Sequence, residues 1–346
     1  MDTIETMTRI DSGAFDEAFG YLYSEKAQEQ RARYKNAALQ FETLFGAGRE
    51  IRLFSAPGRT EVGGNHTDHQ HGRVLAAGVN RISLGVQSLH DGMLETLGRL
   101  HRANAAREAF RAIREAGCAN LSLDLMWGLP GQTLEQWLED ARAAIALGPE
   151  HISAYGLTLE PGTPLAESCG DAELPSEDVQ CAMYLEGIRL LEEAGLHHYE
   201  VSNFARDGFR CRHNLGYWEG RDYLGVGPAA TSTIGGERWT NPEGEGWLEQ
   251  VREGRRCPER EPLDRATRAL ELMMLRLRTV DGLPLDAYES LAGRSFLGDH
   301  GAFAHRLCAE GLARMENGVF RLTDEGMLVS NSILGELFEE EPKSAE

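Results

Sequence analysis

Residues 121–130 read Leu-Ser-Leu-Asp-Leu-Met-Trp-Gly-Leu-Pro. Leu121, Leu123, Leu125 and Trp127 alternate with Ser122, Asp124 and Met126, the period of two that marks a strand. The run is short, largely apolar and flanked by helical patterns. It predicts a buried strand of a parallel α/β sheet that runs into a tight turn. Asp124 is the odd residue, because a carboxylate inside such a strand is costly unless something binds it. Two readings stay open. Asp124 caps a neighbouring loop, or it contacts a ligand at the mouth of a sheet or barrel, where strand ends carry function.

Working outward, residues 81–88 (RISLGVQS) predict a preceding strand, followed by two helical segments. In the second, 103–116, Ala106, Ala109, Phe110 and Ile113 share one face and Gly117 closes the helix. Beyond the central strand, Thr133 and Gln136 form a T-x-x-Q capping box for a helix over 134–147. Residues 151–164 (HISAYGLTLEPGTP) predict a third strand and its loop, and 177–195 a further amphipathic helix ending at Gly195. Strand and helix alternating at this spacing imply right-handed parallel crossovers. A closed barrel needs more strands than these.

The segment 199–232 (YEVSNFARDGFRCRHNLGYWEGRDYLGVGPAATS) is unlike a core strand and reads as a long loop over the open end of the sheet. It brings His213, Asn214, Tyr217 and Trp218 close together. Either His213 is merely hydrogen-bonded in an ordered loop, or the loop is a ligand lid. In a lid, His213 would ligate a metal or heme iron and the rings would face a planar ligand. After residue 262 helices are expected over 267–279, 284–293, 301–315 and 327–338, with a short strand and turn at 319–326. Small helices with a β-wing suggest a winged-helix-like domain, and the tail 339–346 is expected to be disordered.

The chain has 346 residues, enough for two or three domains, and a formal net charge of -20. That charge argues against nucleic-acid and anionic-membrane partners. No apolar run reaches the roughly 18 residues of a membrane span. The opening MDTIETMTRIDSG carries no signal-peptide pattern. Cysteines stand at 118, 169, 181, 211, 257 and 308 with no CxxC pair, so a cytoplasmic protein with reduced thiols is expected.

At the N-terminal end, 1–24 give no clear element, 25–46 predict an amphipathic helix (Tyr34, Ala38, Phe41, Phe45), and 51–56 a strand. The Gly-rich stretch that follows holds Arg59, Glu61, His66, Asp68, His69 and His71. A metal site is conceivable but has no defined ligand spacing. A loop that hydrogen-bonds a polyhydroxylated ligand fits better. Residues 25–80 resemble the N-terminus of galactokinases of the GHMP kinase family through GRTEVGGNHTDHQHG at 58–72. The resemblance implies that Arg59, Glu61, His66 and Asp68 surround sugar hydroxyls. The family's Gly-Ser-rich phosphate loop is not found, so phosphoryl transfer is not implied.

Residues 78–338 resemble the HemW heme chaperones, relatives of the oxygen-independent coproporphyrinogen III oxidases of the radical SAM superfamily. The matching motifs are GVNRISLGVQS, LGRLHRA, LDLMWGLPGQT, ISAYGLTLEPGTP, YEVSNFA and HNLGYW, in the family's order. The resemblance implies an α/β fold with a partial (β/α) radical SAM-type barrel at 81–261 and a HemN/HemW-type helical domain at 262–338. It also implies S-adenosylmethionine contacts at Gln87, Arg99 and Asp124, with Thr158 and Thr231 nearby. Heme binding is implied at His213, Asn214, Tyr217 and Trp218, with His213 as axial ligand, heme or porphyrin as partner and a heme-accepting protein as recipient. The family's CxxxCxxC, which holds a 4Fe-4S cluster, is not matched, and the six cysteines are not spaced to replace it. Radical chemistry is therefore not expected. The two resemblances meet at Gly78-Val79-Asn80, as though a galactokinase start at 1–80 were joined to a HemW-like remainder. The expected function is heme binding without radical chemistry. A sugar-binding fragment and a non-functional chimera with exposed sheet edges are the alternatives.

Overall fold

A computed structural model describes residues 3–16, positions 31–32, 34–35, 38–39 and 42, and residues 80–339 apart from 161, 170–173, 226, 244–245, 248 and 250–258. The chain divides into two compact units, Met1–Asn80 and Arg81–Glu346. The first unit opens with helix α1 (Thr3–Asp11), an element the sequence did not announce. On α1, Ile10 is buried and Ile4 is exposed. Lys35 pairs with Asp11 at 2.7 Å and Arg31 pairs with Asp16. The described positions between 31 and 42 are helical, with Tyr34 and Ala38 buried as the amphipathic spacing requires. The expected strand at 51–56, the motif holding Arg59, Glu61, His66 and Asp68, and Gly78 and Val79 of the joint lie outside the described residues.

In the second unit the elements run β1 (Ile82–Gln87), α2 (Asp91–Thr96), α3 (Ala103–Glu115), β2 (Leu121–Trp127), α4 (Leu134–Leu147), β3 (His151–Gly156), α5 (Pro164–Ser168) and α6 (Glu177–Glu193). There follow β4 (His197–Glu200), β5 (Asn203–Ala205), α7 (Arg212–Trp218), β6 (Thr231–Ile234), β7 (Glu237–Thr240) and β8 (Glu261–Pro262). The C-terminal elements are α8 (Arg265–Arg276), β9 (Leu283–Pro284), α9 (Leu285–Ala292), α10 (Phe296–Ala309), β10 (Ala313–Glu316), β11 (Val319–Leu322), α11 (Asp324–Leu328) and α12 (Ser330–Glu339).

The main sheet has the order β1-β2-β3-β5-β4. The first three strands are parallel, and Leu84, Leu123 and Ile152 lie in register across them. On β2, Leu121, Leu123 and Leu125 are 0 % exposed, so the alternation read from the sequence is the core face. Helix α3 packs on β1 and α4 on β2, while α4 and α6 pack on each other. The α4 start is the expected capping box: the Gln136 N–H donates to Thr133 Oγ1 at 3.2 Å, and the Thr133 N–H donates to Gln136 Oε1 at 2.9 Å.

The chain from 197 to 205 corrects the sequence reading. It forms a buried antiparallel hairpin, β4–β5, which extends the parallel sheet beyond β3. Its polar residues made it look like a loop. Glu200 is buried with partners inside the hairpin: its carboxylate accepts from the Ser202 N–H at 3.0 Å and from the Asn203 amide. Close packing is visible at Gly156, where an added Cβ would lie 2.9 Å from Cζ2 of the Trp127 indole. Gly156→Ala is expected to cost about 1–3 kcal/mol through overpacking, as a lowered denaturant midpoint at unchanged m-value.

A second antiparallel sheet, β6-β7-β8, was not read from the sequence. In the C-terminal part, helices α8 to α10 accompany a third sheet, β10-β11-β9, giving the small-helix-plus-wing arrangement. The helix expected over 301–315 instead spans Phe296–Ala309. Gly311, at φ 78°, turns the chain, and Ala313–Glu316 pairs with Val319–Leu322. The connecting Asn317-Gly318 has φ of 53° and 74°, the positive values that an Asn-Gly hairpin turn uses. The last expected helix is broken at Val329 into α11 and α12, and 340–346 lie outside the described residues. Among the described residues no helix is long and apolar enough to cross a membrane.

Candidate functional site

Because β1, β2 and β3 are parallel and in register, the residues opposite the leucine face line up in rows. One row runs Gly85, Asp124, Ser153, Asn203, Glu200, from β1 across to β4. Beside it runs Ser83, Ser122, His151, Ala205. Asp124 accepts a hydrogen bond from Ser83 Oγ at 2.7 Å. Tyr155, two residues beyond Ser153, has its phenol pushed up by burial and by the nearby Asp124 and Glu200 carboxylates. This polar face of an otherwise leucine-rich sheet can hold a polar ligand by paired donors and acceptors.

Gln87 ends β1 with φ 66°, at the point where the β1–β2 register shifts. Its amide leans back over Gly85: an added Cβ at Gly85 would lie 2.9 Å from Gln87 Nε2. The residues after it are fixed from below by Asp140 of α4, which is 0 % exposed. That carboxylate accepts from Ser88 Oγ at 2.7 Å and from the Leu89 N–H at 2.6 Å. Burial pushes the Asp140 carboxyl up, and these hydrogen bonds oppose the shift.

Gln87 and Asp124 thus belong to one face of neighbouring strands. Arg99 lies just after α2, where its N–H caps Leu94 at 2.8 Å. Thr158 is exposed beyond the end of β3. Thr231 belongs to the second sheet, with Oγ1 2.8 Å from Thr240 Oγ1.

The second candidate group, His213, Asn214, Tyr217 and Trp218, lies on helix α7 and not in a loop. Helical spacing separates its members. His213 and Tyr217, one turn apart, are exposed, with ring centroids 4.9 Å apart and planes at 89°. Tyr223 continues this ladder at 4.7 Å from Tyr217, a residue the sequence reading passed over. Asn214 Oδ1 accepts from Cys211 Sγ at 3.4 Å. The Trp218 side chain hydrogen-bonds Glu200, which is 1 % exposed and whose carboxyl is pushed up by burial.

Helix α7 is tied to the sheet at its other end as well. The Cys211 N–H donates to Tyr199 Oη at 3.3 Å, Tyr199 Oη lies 2.7 Å from His151 Nε2, and His151 Nδ1 lies 2.8 Å from Ser122 Oγ. Both ring nitrogens of His151 are thus hydrogen-bonded, to Tyr199 Oη and to Ser122 Oγ, as a neutral imidazole allows in either tautomer. Burial pushes His151 down to about 3, consistent with that neutral ring.

The described cysteines, 118, 169, 181, 211 and 308, are dispersed along the second unit. Among the described residues no group of three or more His, Cys, Asp or Glu is arranged to hold a metal ion. The donor set a 4Fe-4S cluster requires, three thiolates converging on one cluster, does not fit these positions.

Comparison with known proteins gives two matches to family models. Residues 263–329 match the HemN C-terminal domain and residues 39–84 the galactokinase galactose-binding signature. The heme chaperone HemW of Bacillus subtilis is 36% identical over 264 residues, covering 75% of this chain and 69% of that protein. The heme chaperone HemW of Escherichia coli is 33% identical over 309 residues, covering 84% of this chain and 75% of its own length. A mitochondrial radical S-adenosyl methionine domain-containing protein 1 of Bos taurus is 36% identical over 274 residues, covering 75% of this chain and 62% of that protein. The solved structure of coproporphyrinogen III oxidase (HemN) from Escherichia coli, a radical SAM enzyme, shares the fold: TM-score 0.64 at 21% identity, over 77% of this chain and 65% of that one. Taken with the parallel sheet and its antiparallel hairpin, these likenesses show that the chain belongs to the HemW family.

Proposed function

We propose that this chain carries heme as cargo, held at helix α7 by His213 as axial ligand. The observation that supports the reading most is the exposed His213–Tyr217 pair on a helix fixed at both ends to the sheet, with the half-buried Tyr223 ring beside it. An exposed imidazole offers a nitrogen to iron, and adjoining aromatic rings offer apolar area to a porphyrin plane. Trp218 ties the helix to Glu200, and Asn214 bonds Cys211 at the helix's own N-cap. A heme-accepting protein is the recipient. We read 81–261 as the partial barrel, 262–338 as the C-terminal domain and the cytoplasm, with its reduced thiols, as the location.

Gln87 and Asp124, half-buried on the polar face of the sheet, fit a polar ligand, and we assign them, with Arg99, Thr158 and Thr231, to S-adenosylmethionine. When bound in radical SAM proteins, that group supplies a cleavable sulfonium. Here the residues would bind and orient it; no cluster fits the described cysteines, so no radical step is assigned. Titration with hemin tests the reading. A saturable Soret shift at about one heme per chain is expected, and no shift overturns it.

The galactose-binding signature at 39–84 supports a second reading, sugar binding through Arg59, Glu61, His66 and Asp68. Calorimetry with galactose separates the two. Heat that saturates and is lost in Asp68→Asn supports sugar binding, and no heat removes it.

A further inference from the structure

We infer that Tyr199 and Glu200, adjacent on β4, are the positioning residues that set the orientation of α7, and through it the direction of the His213 imidazole. The inference rests on the heme-carriage reading for its consequence, but its geometry stands without it. The two residues grip opposite ends of α7. Tyr199 Oη accepts from the N–H of Cys211, the N-cap residue, at 3.3 Å, while Glu200 hydrogen-bonds the indole of Trp218, the last helical residue. Between these clamps lie His213 and Tyr217.

The clamps are rigid because each is satisfied from behind. Tyr199 is 0 % exposed and Glu200 1 % exposed. Behind Tyr199 stand His151 at 2.7 Å and Ser122 at 2.8 Å from His151. Arg210 lies over the Tyr199 ring at 5.7 Å. Behind Glu200 stand the Ser202 N–H at 3.0 Å and the Asn203 amide. The backbone is secured too. Val280 donates to the Tyr199 carbonyl at 3.2 Å, the Val201 N–H donates to Arg278 at 2.9 Å, and Glu200 bridges Thr279. A helix of seven residues is too short to hold itself, since helices below about 12–15 residues are marginal in water. Its order must come from such tertiary ties.

The chain Ser122–His151–Tyr199–Cys211 also joins β2, two residues before Asp124, to the start of α7. The same buried line therefore supports both candidate sites. Outer hydrogen-bond partners of a ligand typically change affinity by about 10–100-fold when removed.

The test uses the full chain with Tyr199→Phe, Glu200→Gln and, from the helix side, Trp218→Phe. Each keeps the ring or the size of the original group. Three readouts are taken: the melting transition, the exchange rate of amide protons in 212–218, and the release rate and ligand-field spectrum of bound hemin. The expected result in all three variants is amide exchange about 10-fold faster, hemin release about 10-fold faster and a changed ferric spectrum; Tyr199→Phe, which leaves the buried His151 without its tyrosine partner, also melts lower. Unchanged exchange and unchanged hemin release in all three variants would overturn the inference. If the wild-type chain binds no hemin, the heme reading fails. The inference is then decided by exchange alone, faster exchange upholding the clamp and unchanged exchange refuting it.

Discussion

Trp137→Ala is expected to destabilise the second unit by about 3–5 kcal/mol, the range for emptying a buried aromatic site. Trp137 is 1 % exposed and joins α4 to α6. Its indole N–H donates to the Met183 carbonyl at 2.8 Å, so truncation also removes a buried hydrogen bond between the two helices. The site cannot collapse easily, because Gly187 already brings the two helices as near as the ring permits: an added Cβ there would lie 2.8 Å from Trp137 Nε1. Trp137→Phe restores most of the ring and loses only the hydrogen bond, so it should recover more than half of the loss. Urea unfolding followed by far-UV circular dichroism measures both. Equal midpoints for Trp137→Ala and wild type would show that the α4–α6 contact does not hold the sheet's cover in place.

Acid should be the second large effect, and its sign follows from His151. The folded-state value lies at about 3, below the ordinary value near 6.5. Above pH ~6.5 neither state is protonated at this residue and it contributes no pH dependence. As pH falls from about 6.5 towards 3, the unfolded chain takes up a proton that the folded chain refuses. Stability is then lost at about 1.4 kcal/mol per pH unit. Glu200 and Asp140 act the other way. Their folded values are raised by burial, so folding favours their protonated forms and acidification through those values adds stability. Comparing slopes separates these contributions. His151→Gln is expected to be less stable at neutral pH, because its neighbours Ser122 and Tyr199 lose their partner. Its loss of stability between pH 6.5 and 4 should nevertheless be shallower by about 1.4 kcal/mol per unit. Parallel slopes for the two proteins would contradict a neutral buried His151.

The central strand, the capped helix after it and the parallel crossovers were legible in the sequence because each is fixed by local pattern. Leu121, Leu123 and Leu125 alternate, and Thr133 and Gln136 sit at the spacing their hydrogen bonds need. The β4–β5 hairpin was not legible, because its burial depends on partners distant in sequence. Tyr199 meets His151, and Glu200 meets Trp218. Asn317-Gly318 carried a hairpin signal that was overlooked, and the helix before it was therefore drawn too long.

At the candidate sites, the sequence motif grouped His213, Asn214, Tyr217 and Trp218, whereas the helix separates the exposed His213 and Tyr217 from Trp218, which ties it to Glu200, and Asn214, which bonds Cys211 at its own N-cap. Tyr223 joins the exposed pair only through the bridge it forms with Thr233, a pairing no local pattern reveals. Asp124 was flagged correctly as a carboxylate needing a partner, and Ser83 is one. Thr231, which the family resemblance alone sets near it, belongs to another sheet.

The central claim is that iron is held by the His213 imidazole, and the most direct measurement is the ferric spectrum of the hemin-loaded chain beside that of His213→Ala. Soret absorbance and electron paramagnetic resonance both read the axial ligand. The account predicts an imidazole-ligated spectrum in the wild type. It predicts its loss in His213→Ala, with affinity weaker on the order of 100-fold, about 2.7 kcal/mol. Identical spectra and affinities in the two proteins would contradict it.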